Sequence, residues 1–444
     1  MTKPSLLLIN PWINDFASFD LWAKPLGLLR LAALLRLEGY GIDFVDCLDN
    51  HYPGLDSEPG LKPAVPRQFG TGKYFRQKIA KPACFKDIPR HYYRHGLSPR
   101  LFVEAISRVQ RPTAILVTSG MTYWYPGVFE AIRLAKDTWP GVPAILGGIY
   151  ATLCHDHARR FSGADIVVRG PGEEKVFELL DGITGIKRSL SLPPGPDDFP
   201  YPAFDLLSRT GYVCLQTSTG CPYRCSYCAS HLLAPEFSSR DPGKVVEEIV
   251  FWDRRHGVKD FAFYDDALLF NPEEGIVPIL KGVIASGVEV NFHSPNGLHA
   301  SFIDARLAHL LHRAGFRDIH LGLETVSRRL DAKTTFEEFA GAVRCLKESG
   351  FHTRQIVAYL LMGLPGQDRS EVEAAVHAIK GLGVTPYLSE YSPIPGTELW
   401  NEAVACSRYD LEGEPLTHNN TALPCLSENL TWEDANRLKL LARA

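Results

Sequence analysis

The sequence predicts an α/β protein made of two parallel-stranded units in series. The first is an open sheet covered on both faces by helices, and the second is a partial barrel of six strand–helix units. Three observations carry this expectation. Short, continuous apolar runs alternate with stretches of helical periodicity, as strands buried on both faces of a parallel sheet require. The alternation is interrupted by the proline-rich stretch 186–207, which can continue neither a helix nor a central strand. It then restarts with six further units, fewer than the eight of a closed barrel. A length of 444 residues accommodates two or three domains.

In the first unit the expected strands are 5–10, 42–46, 113–119, 142–148 and 164–170. Helical patterns fall at 25–41, closed by Gly39 and Gly41, and at 127–137, 151–161 and 172–180. Sheets of this Rossmann-like kind bind ligands at the carboxyl ends of their strands. Gly120, Gly147, Gly148, Gly170 and Gly172 fall at those ends. In the second unit the strands are expected at 212–219, 260–266, 288–294, 318–324, 355–363 and 386–392. Helices are expected between them at 241–256, 272–286, 303–314, 335–349 and 370–382. The domain plan is therefore 1–185 for the Rossmann-like sheet, 186–207 for an extended linker, 208–400 for the partial barrel and 401–444 for a C-terminal extension.

Composition narrows the function. Charged residues make up 22% and hydrophobic residues 45%, which excludes a disordered chain. A net charge of −4 gives no general attraction to nucleic acid or anionic membrane. The N-terminal apolar run is too short for a signal-peptide core, and Arg30 and Arg36 interrupt the most apolar helix. A cytoplasmic protein without a membrane partner is expected. Residues 51–100 form an insertion whose part from Arg67 to Arg100 holds nine Lys or Arg and one acid, Asp87, interleaved with aromatics. It reads either as a lid on an acidic ligand or as a surface wrap that pairs with acidic neighbours; nucleic acid is not expected as a partner.

Seven of the ten cysteines are scattered, and scattered cysteines in such a chain are usually small apolar residues. The other three, Cys221, Cys225 and Cys228, lie in "GCPYRCSYC", in the loop after the first barrel strand. Thiolates suit zinc or iron–sulfur clusters. A structural zinc site closes with four ligands, and the fourth candidate, Cys214, sits inside the strand. Three thiolates fit a four-iron cluster with one open iron, which can bind substrate or cofactor.

This segment resembles the cluster motif of the radical S-adenosylmethionine (SAM) enzymes, with the aromatic Tyr227 before the last cysteine. "FYDDALLF" (263–270), "LGLET" (321–325), "LMGLPGQDRSEV" (361–372) and "YSPIPGTEL" (391–399) are similar to further motifs of the same family, in order. The resemblance implies a [4Fe-4S] cluster on Cys221, Cys225 and Cys228. It also implies S-adenosylmethionine chelated on the open iron and cleaved to a 5′-deoxyadenosyl radical. Tyr227, Asp265, Asp266 and Glu324 are the residues expected around that cofactor. The first unit resembles the cobalamin-binding domain that precedes many of these enzymes. "SGM" (119–121), "GG" (147–148) and "VVRGPGEEKVFELL" (167–180) match its pattern. The implied cobalamin contacts are Asn10, Trp12, Ser119, Gly120, Gly147, Gly148, Gly170 and Glu173. The histidine motif that ligates cobalt in mutases has no counterpart in "NPWINDFASFD".

The function implied is a cobalamin-dependent radical SAM enzyme, a methyltransferase acting on an unactivated carbon of a small-molecule or peptide substrate. A flavodoxin or ferredoxin is the implied electron donor. Two alternatives stay open: a radical cyclase, ring-modifying or oxidative enzyme that transfers no methyl group, and a cluster-bearing binding module.

Overall fold

The computed structural model describes residues 4–186, 193, 195–326 and 334–444. The chain divides into two compact units, Met1–Gly211 and Tyr212–Ala444.

The first unit is built on a five-stranded parallel sheet: β1 (Ser5–Asn10), β2 (Gly41–Asp46), β3 (Ala114–Val117), β4 (Ala144–Leu146) and β5 (Ile166–Val167), in the order β5-β4-β3-β1-β2. The continuous apolar run of β1 has the cause expected of it. Leu6 and Leu8 enter one core with the helix Leu26–Leu37, while Leu7 and Ile9 enter the opposite core with the helices Pro99–Ser107 and Tyr125–Thr138. All four are fully buried, and each contributes roughly 1.5–3 kcal/mol of burial. The chain leaves β1 toward β2 on one side and returns to β3 on the other, so the order reverses between β1 and β3.

The basic insertion folds as two small antiparallel sheets. Tyr92–His95 pairs with Ile13–Asp15 on one side and Arg76–Ile79 on the other, and Gly72–Lys73 pairs with Phe19–Asp20 on one side and Val65–Pro66 on the other. Several of its cations have intramolecular partners. Arg94 meets Glu130 at 2.6 Å, Arg100 meets Glu58, and Arg67 and Lys73 lie over Phe19. The described part of the proline-rich stretch is packed on the first unit. Phe204 is fully buried, and Ala203 donates its N–H to Leu29 O at 3.0 Å while packing beside Leu206 in the core under β1. Residues 187–192 and 194 of that stretch lie outside the described residues.

The second unit repeats strand and helix with β6 (Val213–Leu215), β7 (Asp260–Phe263), β8 (Asn291–His293), β9 (Ile319–Glu324), β10 (Ile356–Met362) and β11 (Thr385–Glu390). These six strands are the six expected barrel strands, although β6 ends earlier and the two-residue strand Leu298–His299 joins the edge of β9. Strands β6–β8 form one parallel sheet and Leu298–His299 with β9–β11 another. The seam is bridged at Phe292 and Phe316, and by His293, which sits between Asp318 (2.9 Å) and Asp260 (3.2 Å). Helices start on side-chain caps, as at Asp241, Asp304, Thr335 and Asp368. Beyond the sixth strand come two helices, Trp400–Cys406 and Trp432–Arg443. Among the described residues no helix is long and apolar enough to cross a membrane.

Candidate functional site

The cysteine loop is set by a buried carboxylate. After β6, the Thr217 N–H and hydroxyl donate to Asp265 Oδ1 at 2.9 and 2.8 Å, and the Ser218 hydroxyl donates to the same oxygen at 2.7 Å. Burial pushes the Asp265 carboxyl up, against the pull of these donors. Ser218–Thr219 then pairs with Ser238–Ser239 and closes an excursion of the chain that carries all three cysteines. The neck is narrow. Gly220 has φ +76°, and a Cβ there would overlap the Glu236 carbonyl and lie 3.1 Å from that of Ala234.

Within the loop, Cys228 N donates to Cys225 O at 3.0 Å, and the Cys228 thiol lies 3.2 Å from the Ser230 hydroxyl. Ser226 O accepts from Leu399 N at 2.9 Å, fastening the loop to the segment after β11. Tyr223 stacks on His299 at 4.4 Å and meets Phe270 edge-on. Tyr227 packs with Leu364, Tyr391 and Cys425. Its hydroxyl is hydrogen-bonded to Glu324, and burial first, then the Glu324 charge, hold its proton firmly. Glu324 ends β9 at φ +58°, beyond a register shift in the β9–β10 ladder. A non-glycine residue held there by its surroundings is the kind of local strain that gathers at functional sites.

Cys221, Cys225 and Cys228 are half-buried thiols on a single loop. Among the described residues no three His, Cys, Asp or Glu side chains converge closely enough for a single metal ion. A cubane cluster held by three thiolates takes one at each of three irons. Cys214 stays buried within β6, paired with Ala262. The donor set therefore fits the four-iron group.

Among the carboxylates, Asp265 is buried and accepts from Thr217 and Ser218. Asp266 is exposed, and Glu324 is half-buried against Tyr227. Sequence reasoning did not single out Thr217 and Ser218 as partners of Asp265. It also passed over Gln367, whose buried amide accepts from Gly363 N (2.7 Å) and donates to Leu361 O (3.0 Å), holding the turn after β10. "QTSTG" and "GLPGQ" carried the only signal for them.

In the first unit the matching feature lies at the carboxyl ends of β3 and β4. The Ser119 hydroxyl donates to Gly147 O at 2.6 Å and accepts from Ala151 N at 3.2 Å, tying the two loops together. Gly148 has φ +97° and ψ −167°, and a Cβ there would overlap the Ser119 carbonyl and lie 2.6 Å from Ser119 N. Gly147, by contrast, has nothing within 4 Å of where its Cβ would project. Met121 and Ile149 stand exposed just beyond. An open glycine flank edged by uncovered apolar side chains fits a large, partly apolar ligand lying across these ends. Gly120 lies against the Trp124 ring, Gly170 N donates to Thr152 Oγ1 at 3.0 Å, and Glu173 opens the helix Glu173–Thr184.

Asn10 and Trp12 have partners inside the fold. Asn10 donates to Asp46 Oδ1 at 2.7 Å. Trp12 is 1% exposed, donates its indole N–H to Leu97 O at 2.7 Å and packs against Phe102. The reason is that the chain after β1 continues into the strand Ile13–Asp15, which pairs with the insertion and draws Trp12 into the core. A hollow of about 760 Å³ lies beside β2, at the other end of the sheet from Gly147, and includes Asp46, Lys24, Arg67 and Arg209 in its walls.

Comparison with known families agrees with both features. The Radical SAM superfamily model matches residues 215–379. That stretch is a radical SAM domain. A B12 binding domain model matches residues 94–180, so a B12-binding domain precedes the radical SAM domain in the sequence. The match includes Ser119, Gly147 and Gly148 but not Asn10 or Trp12. An uncharacterized methyltransferase of Pyrococcus horikoshii is 26% identical, over 70% of this chain and 74% of its own length. An anaerobic magnesium-protoporphyrin IX monomethyl ester cyclase of Rubrivivax gelatinosus is 23% identical, over 64% of this chain. The match spans a little over half (58%) of the cyclase. In fold, the chain is similar to the radical S-adenosylmethionine methyltransferase TsrM of Kitasatospora setae, whose structure holds cobalamin and a [4Fe-4S] cluster. The TM-score is 0.68 at 16% identity, over 99% of this chain and 91% of that one.

Proposed function

We propose that this chain is a cobalamin-dependent radical SAM methyltransferase acting on an unactivated carbon of a small-molecule or peptide substrate. The observation that carries the reading is the pairing, on one chain, of a three-thiol loop with an open glycine flank at the ends of a parallel sheet. Cys221, Cys225 and Cys228 would hold the cluster. Gly147 would let the cobalamin tail pass, on loops that Ser119 and Gly148 keep together. When bound, the cluster supplies one electron to S-adenosylmethionine and cobalamin supplies a methyl carrier.

The residues of the chain do the rest. Asp265 keeps Thr217 and Ser218 in place so that the loop leaves β6 in one direction. The Tyr227–Glu324 hydrogen bond ties that loop to the end of β9. The aromatic stack of Tyr223, His299 and Phe270 keeps water from its flank. Asp266 and Glu324 remain as acceptors for an ammonium or ribose hydroxyl. A flavodoxin or ferredoxin would deliver the electron. The likeness to the cyclase supports a second reading, radical chemistry without methyl transfer.

The test is anaerobic turnover with methyl-labelled S-adenosylmethionine. Label in the product supports the methyltransferase, whereas deoxyadenosine with unlabelled product supports the second reading. A Cys221→Ala, Cys225→Ala, Cys228→Ala variant should lose the brown chromophore and all cleavage of S-adenosylmethionine. Retention of cleavage would end both readings.

A further inference from the structure

We propose that Cys406 and Cys425 form a reversible disulfide that fastens the C-terminal segment across the carboxyl ends of β10 and β11. In the sequence the two cysteines are far apart and belong to no motif. In the structure they meet. Cys406 is the last residue of the helix Trp400–Cys406, is exposed, and its thiol points to Ala403 O at 3.6 Å. Cys425 is buried in an apolar cluster that includes Ala403 and Val404 of the same helix, together with Tyr391 and Leu411. Ala403 and Val404, just before Cys406 on its helix, pack in the same cluster as Cys425, and after burial the neighbouring Cys406 thiol adds to the hold of Cys425 on its proton.

The segment between them lies at the carboxyl ends of two strands. His418 O accepts from the Ser392 hydroxyl at 2.6 Å, just after β11. Leu423 packs against Gly363, just after β10. Tyr227, next to Cys228 of the cluster loop, shares the apolar cluster with Cys425. A covalent link here would pin the segment where it already rests, beside the loop that carries the redox chemistry.

The two thiols divide the work. Burial keeps Cys425 protonated, so the exposed Cys406 meets an oxidant first. With a small disulfide such as oxidised glutathione, the Cys406 thiolate attacks one sulfur and releases one glutathione thiol. Cys425, losing its proton as it attacks, then displaces the second glutathione from Cys406. The two protein thiols are oxidised, and one glutathione disulfide is reduced to two thiols. This inference does not depend on which carbon, if any, is methylated.

Trypsin provides the test, because cleavage at Arg408 puts the two cysteines on separate peptides, 381–408 and 409–437, neither with another cysteine. The cluster-loaded protein is incubated without oxygen with oxidised glutathione, alkylated and digested. The expected product is the two peptides joined, lighter by two hydrogens and separated again by dithiothreitol. Cys406→Ser should abolish it, and Cys425→Ser should leave glutathione on Cys406. Two results would overturn the proposal: a stable glutathione adduct on Cys406 of the unsubstituted protein with Cys425 still open to alkylation, or a link from either peptide to Cys225 or Cys228 instead.

Discussion

The adjacent glycines 147 and 148 allow a separation of folding from ligand binding. The Gly148 backbone, near φ +97° and ψ −167°, lies in a region that only glycine populates readily, and its missing Cβ would overlap Ser119. Gly148→Ala therefore carries backbone strain of about 1–3 kcal/mol as well as an overpacking term of about 1–3 kcal/mol. Taking about 3 kcal/mol in all, and a first unit of residues 1–211, the expected fall in its melting temperature is about 6–12 °C. Gly147→Leu carries neither penalty, because its Cβ would point into open space. Its melting temperature without cobalamin should match that of the unsubstituted protein. The difference should appear on adding cobalamin. At about 100 times Kd, a ligand that binds only the folded state adds about 2.7 kcal/mol, which the unsubstituted protein should show and Gly147→Leu should lose. Differential scanning calorimetry with and without cobalamin measures both. If Gly148→Ala melts normally, the backbone argument is wrong; if Gly147→Leu keeps the full cobalamin shift, the tail runs elsewhere.

Asp265→Ala should lower iron content per chain and cost about 1–3 kcal/mol, since it leaves the Thr217 and Ser218 donors without their acceptor; unchanged iron loading would remove its positioning role. His293 is drawn down by burial but held above its ordinary value by hydrogen bonds to Asp260 and Asp318. The stability it adds to the seam is present below about pH 6.5 and is lost as pH rises through the folded value. His293→Phe should cost about 2–3 kcal/mol, discounted because both carboxylates partly reach water, and should flatten that pH dependence; a variant as stable as the parent at pH 6 would refute it. Asp46 is raised by burial from 3.8 to about 6. Its contribution is present below about pH 4 and lost as pH rises through about 6. Asp46→Asn, which can still accept from Asn10 and Leu48, should stabilise the first unit at neutral pH by about 2 kcal/mol and remove the slope; a denaturant series across this range checks it.

Much of the fold was legible because its signals are local. An apolar run such as "SLLLIN" and a cap such as Asp368 with Glu371 act on their own neighbours. The Cys221, Cys225 and Cys228 spacing is equally local, since one loop supplies every thiol. Pairings across long separations were not legible. Trp12 reads as a cobalamin contact just after β1, yet Leu97, 85 residues on, accepts its N–H. Asp265 reads like an acceptor for a ligand, yet Thr217 and Ser218 reach it first. The proline-rich stretch reads as an extended linker, and its prolines do exclude helix, but Phe204 still found a core to enter.

From the residue string alone came two parallel-stranded units, a thiol triad spaced for an iron–sulfur cluster, and a glycine pair suited to a close-lying cofactor. Short-range constraints, namely periodicity, caps and loop spacing, are enough for these. Packing decided which polar groups remain available: it buried Asn10, Trp12 and Asp265, left Gly147 open, and joined Tyr227 to Glu324. A side chain's availability depends on which distant segment desolvates it, and that is settled only when the chain closes on itself.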